Sequence, residues 1–220
     1  PLVQCAGSMA MYDATYITKL KALCEKYGIF MIADEIAVGF GRTGTMFACE
    51  QADITPDFMC LSKGITGGYL PLSCVMTTNE VYQAFYCDYS EGKSFLDSHS
   101  YTGNALACAA ANATLDIFEN ENIIENNKTK IEALSIMIEP FKTLSNVKEV
   151  RQRGMIAAIE LQGYKSEERI GLKIYEYALK NGVLLRPLGN IVYFMPPYII
   201  SDAEMKKMVK VAYEAIKLIA

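Results

Sequence analysis

The amino-acid sequence predicts an α/β protein, made of a layered α/β domain followed by a smaller α+β domain. In the first half, helical periodicity gives way to short, wholly apolar runs, which are typical of buried parallel strands. After Pro140 the pattern changes to short strands and amphipathic helices. We therefore expect one domain over residues 1–137 and a second over residues 138–220, with functional groups at the carboxyl ends of the first domain's strands.

The first predicted elements are one helix and three strands. Apolar residues recur every three or four positions from Tyr12, and Gly28 is placed to end that helix. The members of this apolar stripe are Tyr16, Leu20, Leu23, Cys24 and Tyr27. Apolar runs at residues 29–33, 58–61 and 72–77 predict buried strands.

The later elements alternate between helices and short strands. A run of small residues from 103 to 113, continuing to Phe118, predicts a tightly packed helix. The charged, asparagine-rich residues 119–130 are interpreted as the solvated face of a helix, because isoleucines and a leucine keep helical spacing through them. In the second domain we expect strands at 155–161, 183–186 and 192–195, and helices at 170–179 and 202–219.

The composition excludes several classes of partner. The 21 basic and 25 acidic residues are interspersed and give a net charge of −4, so we expect no nucleic-acid or membrane surface. No two of the seven cysteines have the spacing of a zinc or redox pair, and we expect reduced thiols and no metal. No apolar stretch approaches the ~18 residues of a membrane span. We expect a cytoplasmic protein, and the start at Pro1 suggests a piece of a longer one.

Asp34 and Lys63 are the strongest candidates for chemistry. Asp34 and Glu35 follow the first apolar run, and Lys63 follows the second. A carboxylate pair in that position can meet a ligand, bind a metal or cap a turn. A buried lysine ammonium is costly unless it is paired or neutral, and a neutral imine with an aldehyde cofactor removes that cost. The glycine-rich residues 39–44 lack the spacing of known phosphate loops, so we expect a plain turn there.

These motifs, in this order and spacing, resemble the class III aminotransferases of pyridoxal-phosphate fold type I over essentially all 220 residues. The matching segments are Ala33-Asp34-Glu35-Ile36, Gly39-Phe40-Gly41-Arg42-Thr43-Gly44, Ser62-Lys63-Gly64-Ile65-Thr66-Gly67-Gly68 and Gly103-Asn104. The resemblance implies the latter part of a large domain with a mixed, mostly parallel sheet, and a C-terminal small α+β domain. It also implies pyridoxal 5′-phosphate as cofactor and a homodimer whose subunits share the active site.

The resemblance implies a role for five residues around the cofactor. Lys63 would hold the cofactor as a Schiff base and move protons, and Asp34 would keep the ring nitrogen protonated. Ile36, two residues further on, would pack against the ring. Ser100, preceded by His99, matches the segment that reaches the phosphate from the neighbouring subunit. For His99 we expect a structural or backbone role rather than that of a general base.

Three further residues match positions of the family's substrate pocket. Ser98 matches a position that lines the pocket in the dimer partner. Arg186 matches a residue that binds the substrate carboxylate, and an arginine in Leu-Leu-Arg-Pro is awkward to bury without an anion. Tyr193 matches a position near the substrate, but it is equally well an ordinary core aromatic.

Other segments narrow the resemblance to one activity. They are residues 47–50, 99–108, 186–189 and 193–198. They resemble family members that transfer an amino group to 8-amino-7-oxononanoate, which yields 7,8-diaminononanoate for biotin synthesis. The usual donor is S-adenosylmethionine, and lysine serves some relatives. The alternatives are an ω-aminotransferase for ornithine, 4-aminobutyrate or a diamine, and a non-catalytic relative; Arg186 argues against the first, and the presence of both Asp34 and Lys63 against the second.

Overall fold

A computed structural model describes residues 1–219. The strands are β1 (Val3–Gln4), β2 (Ala10–Met11), β3 (Ile32–Asp34), β4 (Phe58–Leu61), β5 (Cys74–Thr77), β6 (Val147–Arg153), β7 (Ile156–Leu161) and β8 (Ile191–Phe194). The α-helices are α1 (Ala14–Tyr27), α2 (Asn79–Gln83), α3 (Ala105–Asn120), α4 (Ile123–Ile138), α5 (Ile170–Lys180) and α6 (Asp202–Ile219). Short 3-10 helices lie at Ala48–Ala52, Lys63–Thr66, Tyr89–Glu91, Glu139–Thr143 and Ser166–Glu168.

The chain divides into two compact units. The first contains residues 1–2, 12–41 and 45–122. The second contains residues 3–11 and 42–44 and continues from Ile123 to the end of the described chain. The predicted domain boundary between residues 137 and 138 stays a prediction, and α4, which precedes it, belongs to the second unit.

The first unit contains a three-stranded sheet in the order β3-β4-β5. Strands β3 and β4 are parallel, with Asp34 opposite Cys60, and β4 and β5 are antiparallel. The three strands were predicted, but β5 is antiparallel rather than parallel. Complete burial was wrong for β5, where Val75 is 60% and Met76 57% exposed, and for β3. Ala33 is 6% exposed whereas Ile32 is 66% exposed, because the described residues cover only one face of this strand.

Helix α1 begins and ends as the sequence predicts. The Asp13 side chain accepts a hydrogen bond from the Thr15 amide, and Gly28 ends the helix with a φ of 62°. The predicted apolar stripe is largely exposed, however, with Tyr16, Leu23 and Tyr27 all at least half accessible. The helix instead contacts its own unit through buried Ile17 and through the neighbouring Thr18, whose hydroxyl donates to the Ala52 carbonyl.

Helix α3 packs against the short 3-10 helix Lys63–Thr66. Its first turn is capped by Asn104, whose side chain accepts from the Ala107 amide at 3.0 Å. Ala107 and Ala111 are its buried residues, and Ala111 contributes to a core cluster with Phe40, Leu61 and Ile65. The predicted helix is formed, but the tight packing expected along it is limited to Ala107 and Ala111, and Leu106 is 73% exposed.

The second unit is an antiparallel sheet, β6-β7-β8, covered by α4, α5 and α6. Every residue of β7 except Glu160 is buried. Strand β6 was not predicted. The strand predicted at residues 183–186 is not formed: Val183 and Leu185 are buried there without a ladder partner, and the only pairing nearby is the bridge between Leu188 and Ile191.

Candidate active site

Asp34 and Lys63 lie at the carboxyl ends of two adjacent strands of the first unit. Asp34 is the last residue of β3, and Lys63 follows β4 by two residues. The Glu35 amide donates to the Cys60 carbonyl at 3.0 Å, so the pairing of the two strand ends continues past Asp34. Because the strands are parallel, the two functional residues leave the sheet at the same edge.

The surroundings of Asp34 and Lys63 leave both available to a ligand. The Oδ1 atom of Asp34 accepts from the Ile36 amide at 3.0 Å. Within residues 1–219, neither Oδ2 of Asp34 nor the Lys63 amine has a hydrogen-bond or ion-pair partner. A carboxylate oxygen for a protonated ring nitrogen and an unpaired amine for an aldehyde are the donor set that pyridoxal phosphate requires. The residues therefore fit that cofactor.

Lys63 is exposed rather than buried, so the burial argument made from the sequence was wrong for this side chain. The reason is that β4 ends at Leu61 and Lys63 opens a short 3-10 helix at the sheet edge. Its φ is 47°, a left-handed conformation that costs a non-glycine residue roughly 1–2 kcal/mol. Strain of this kind concentrates at functional sites.

The backbone at Gly64, next to Lys63, packs closely against the ring of Phe40. A Cβ added at Gly64 would lie 2.9 Å from Cβ and Cδ2 of Phe40. Phe40 is 3% exposed and contacts the rings of Phe47 and Phe118. Glycine is thus required after the lysine, because any side chain there would displace a packed core residue.

Glu35, directly after Asp34, is a buried carboxylate with two amide partners. It is 1% exposed and accepts from the Ala48 amide at 2.9 Å and from the Cys49 amide at 2.8 Å. These amides open the 3-10 helix Ala48–Ala52, which gives the charge a favourable partner. Burial, reinforced by the Glu35 charge, raises the pKa of the Cys49 thiol to about 12. Glu35 therefore fixes the chain that leaves β3.

The glycine-rich residues 39–44 form turns, as predicted, but one of them also binds a distant segment. Within the second unit, Arg42 donates from Nη1 to the Pro196 carbonyl at 2.5 Å and lies 4.6 Å from the Tyr198 ring centroid. Burial raises the pKa of Tyr198 to about 12. The sequence analysis missed this contact, since no local pattern connects residues more than 150 positions apart.

His99 closes a turn through its ring and backbone. Nδ1 accepts from the Tyr101 amide at 3.2 Å, and the His99 carbonyl accepts from the Thr102 amide at 2.8 Å. The turn lines a pocket of about 680 Å³ whose lining also includes Ser62, the residue before Lys63. Ser98 and Ser100 are exposed beside this turn.

Arg186 and Tyr193 lie in the second unit. Arg186 is exposed and lines a pocket of about 830 Å³. Tyr193 is half-buried on β8, opposite Ala158. The structure thus brings Asp34, Lys63 and half-buried Ile36 together in one unit, with the His99 turn in a pocket beside Ser62 in the same unit, and puts Arg186 in a separate pocket of the other unit.

Comparisons with known proteins assign this combination of fold and strand-end residues to a family. The class III aminotransferase family model matches residues 1–216. The chain belongs to the class III aminotransferases, a family of pyridoxal-phosphate enzymes, and its fold is that of the fold type I transaminases.

Several relatives share a more specific name. The adenosylmethionine-8-amino-7-oxononanoate aminotransferase of Helicobacter pylori is 54% identical over 213 residues, which cover 95% of this chain and 49% of the relative. The protein of the same name from Geobacter sulfurreducens is 45% identical over 95% of this chain and 48% of its own length. This chain spans about half the length of the curated relatives it matches.

Solved structures of transaminases have a fold similar to that of this chain. The adenosylmethionine-8-amino-7-oxononanoate aminotransferase of Methanocaldococcus jannaschii has a TM-score of 0.92 at 40% identity, and covers 96% of this chain and 50% of that one. An omega-transaminase of Thermomicrobium roseum has the same TM-score at 30% identity, over 99% of this chain and 49% of that chain. Backbone similarity therefore does not distinguish the two activities.

Proposed function

We propose that this chain supplies the catalytic lysine of a pyridoxal-phosphate-dependent enzyme that converts 8-amino-7-oxononanoate to 7,8-diaminononanoate in biotin synthesis. S-adenosylmethionine is the proposed amino donor. The observation that carries the proposal is the juxtaposition of unpaired Lys63 and Asp34 at neighbouring parallel strand ends. The higher identity to relatives with this substrate in their name favours it over the other transaminases.

Each proposed site residue contributes one physical function. Bound pyridoxal phosphate supplies an electron sink for negative charge at the substrate carbon. The carboxylate of Asp34 holds a proton on the ring nitrogen by charge pairing, and Ile36 packs against the ring. The Nζ amine of Lys63 would hold the cofactor and would move a proton from and to the substrate carbon.

The phosphate and substrate contacts are proposed from the remaining residues. Ser100 donates to the phosphate of the neighbouring subunit's cofactor, and His99 holds the turn beside it through its contacts with Tyr101 and Thr102. Ser98 lines that subunit's substrate pocket. Arg186 binds the acceptor carboxylate through its guanidinium fork, which can form two parallel hydrogen bonds. Tyr193 lines the same acceptor site.

An amine-donor screen tests the proposed reaction. The full-length protein is incubated with 8-amino-7-oxononanoate and, separately, S-adenosylmethionine or lysine, and 7,8-diaminononanoate is quantified by mass spectrometry. The same protein is offered ornithine, 4-aminobutyrate and a diamine with a common keto acid. We expect diaminononanoate from S-adenosylmethionine. Turnover of ornithine, 4-aminobutyrate or the diamine without formation of diaminononanoate would assign the protein as an ω-aminotransferase. Absence of turnover with every donor would assign it as a non-catalytic relative.

A further inference from the structure

Arg169, which none of the proposed roles uses, lines the same pocket as Arg186. The pocket measures about 830 Å³ and lies within the second unit. Its polar lining includes these two arginines together with Glu160, Tyr175 and Asn190. Two arginines in the lining of one pocket favour an anion as its ligand.

The two arginines reach this pocket because the elements that carry them are in direct contact. Arg169 precedes α5, and Gly171 belongs to the first turn of that helix. A Cβ added at Gly171 would lie 2.3 Å from the Gly189 carbonyl oxygen and 2.8 Å from Cβ of Pro187. The helix start therefore packs against the turn that follows Arg186, which holds the backbone segments that carry the two arginines close together.

Arginine is a poor choice at position 169 for stability alone. Its φ is 48° and ψ 46°, a left-handed conformation that favours glycine, asparagine or aspartate. It is the N-cap of α5 but makes no capping hydrogen bond, and the first turn of the helix carries no acidic residue. A cation at a helix N-terminus also has the unfavourable sign for the helix dipole. Local rules broken in this way are expected where a residue serves function.

The charges of the pocket are not balanced within it. Within residues 1–219, neither the Arg169 nor the Arg186 side chain forms an ion pair or hydrogen bond. Glu160, the acid in the lining, is already paired with Lys148 at 2.5 Å and with Arg151 at 2.7 Å. An incoming carboxylate would find two cationic side chains that no described acid neutralises.

We propose that Arg169 is a second carboxylate-binding residue, which acts with Arg186 on the same acceptor carboxylate and sets the preference for acceptors that carry one. The inference deepens the proposed function and rests on it for the identity of the acceptor. The binding of an aliphatic carboxylate at the two arginines does not depend on transamination, so it can be measured separately.

The test variant is Arg169→Asn in the full-length protein with cofactor. Asparagine suits both the left-handed backbone and the N-cap, so the melting temperature is expected to stay the same or rise. The KM for 8-amino-7-oxononanoate is expected to rise about tenfold, with kcat and the KM of the amino donor little changed. Arg169→Lys should recover part of the loss. Lys173→Asn removes a charge from the same helix outside the pocket lining and serves as the matched control.

A binding measurement tests the carboxylate-binding role of Arg169 separately from the proposed transamination reaction. Heptanoate is titrated by ligand-observed NMR, with heptanol as the uncharged probe. We expect Arg169→Asn and Arg186→Ala each to weaken heptanoate about tenfold without affecting heptanol. An unchanged KM and heptanoate affinity in Arg169→Asn would overturn the inference, as would equal losses on both probes. Arg169-dependent heptanoate binding in a protein that makes no diaminononanoate would sustain the carboxylate pocket and reject the proposed reaction.

Discussion

At the residue scale, the candidate site depends on where two strands end. Asp34 and Lys63 are distant in sequence, but the parallel pairing of β3 with β4 brings them to one edge of the sheet. The carboxylate keeps a free oxygen because Ile36 uses only Oδ1. Oδ2 of Asp34 and the amine of Lys63 therefore remain available to a ligand, because neither is paired with a neighbouring group of the described chain.

Replacing Asp34 tests the charge role directly. Asp34→Asn should retain the cofactor on Lys63 but lower kcat by about two to three orders of magnitude, because the ring nitrogen loses its charge partner. Steady-state kinetics and the cofactor absorption spectrum are the measurements. Asp53→Asn is the control, since Asp53 is an exposed acid of the same unit whose left-handed backbone accepts asparagine. Near-normal turnover of Asp34→Asn would rule out the proposed role.

The positions of Asp34 and Lys63 at strand ends could be predicted from the sequence, because an apolar run precedes each of them. Their roles in the site stay predictions. The exposure of Lys63 could not be predicted, because an apolar run does not report how far the strand extends. The contact of Arg42 with Pro196 and Tyr198 was also out of reach, since it depends on tertiary packing between remote segments.

At the element scale, the side chain of Asp57 connects the first sheet to α1. Asp57, next to β4, accepts from the Met31 amide at 2.7 Å and pairs with Lys21 of α1 at 3.1 Å. The Met31 amide is the main reason that the pKa of Asp57 lies below its usual range, with Lys21 contributing. Helix, strand and loop thus share a single charged group.

This lowered pKa predicts a pH-dependent contribution to stability. The contribution is fully present above the unfolded-state pKa of about 3.9 and is lost as the pH falls through the folded-state pKa. Asp57→Asn should therefore lower the free energy of unfolding by about 1 kcal/mol at pH 7 and by progressively less towards pH 3. Urea unfolding across that range is the measurement, with exposed Asp116→Asn as control. A constant difference at every pH would contradict this account.

Most elements were predictable from periodicity, and the failures have physical causes. Strand β6 reads Val-Lys-Glu-Val-Arg-Gln-Arg, too polar for a strand signal, yet it pairs with β7 along its length and Arg151 is held by Glu160. Residues 183–186 carry the apolar side chains of a strand, but Val183 and Leu185 are buried without backbone pairing. A strand requires backbone hydrogen bonds to a neighbouring strand, and an apolar composition predicts only that the side chains are buried.

At the scale of the whole molecule, the chain has large apolar side chains that no described residue covers. Within residues 69–96, Tyr69 is 88% exposed, Tyr89 96% and Leu96 92%. Apolar surface of this kind marks an interaction site. No helix within residues 1–219 is long and apolar enough to cross a membrane. We propose that a second copy of the full-length protein covers these side chains in a homodimer.

Sedimentation velocity can test the dimer. We expect the full-length protein to sediment as a dimer, and the double variant Tyr89→Asp with Leu96→Asp to shift it towards monomer at micromolar concentration, because charges would be buried in an apolar contact. Ile199→Asp is the control, since Ile199 is 90% exposed on the second unit. A dimer that survives the double variant unchanged would place the interface elsewhere.

The most direct test of the central claim is the attachment site of the cofactor. The full-length protein is loaded with pyridoxal phosphate, reduced with borohydride, digested and mapped by mass spectrometry, with Lys63→Ala treated in parallel. We expect a pyridoxyl group on the peptide that contains Lys63 and its absence from the variant, because this amine is unpaired and its strand end neighbours that of Asp34. A label on another lysine, or equal labelling of the variant, would contradict the assignment of Lys63 as the catalytic residue.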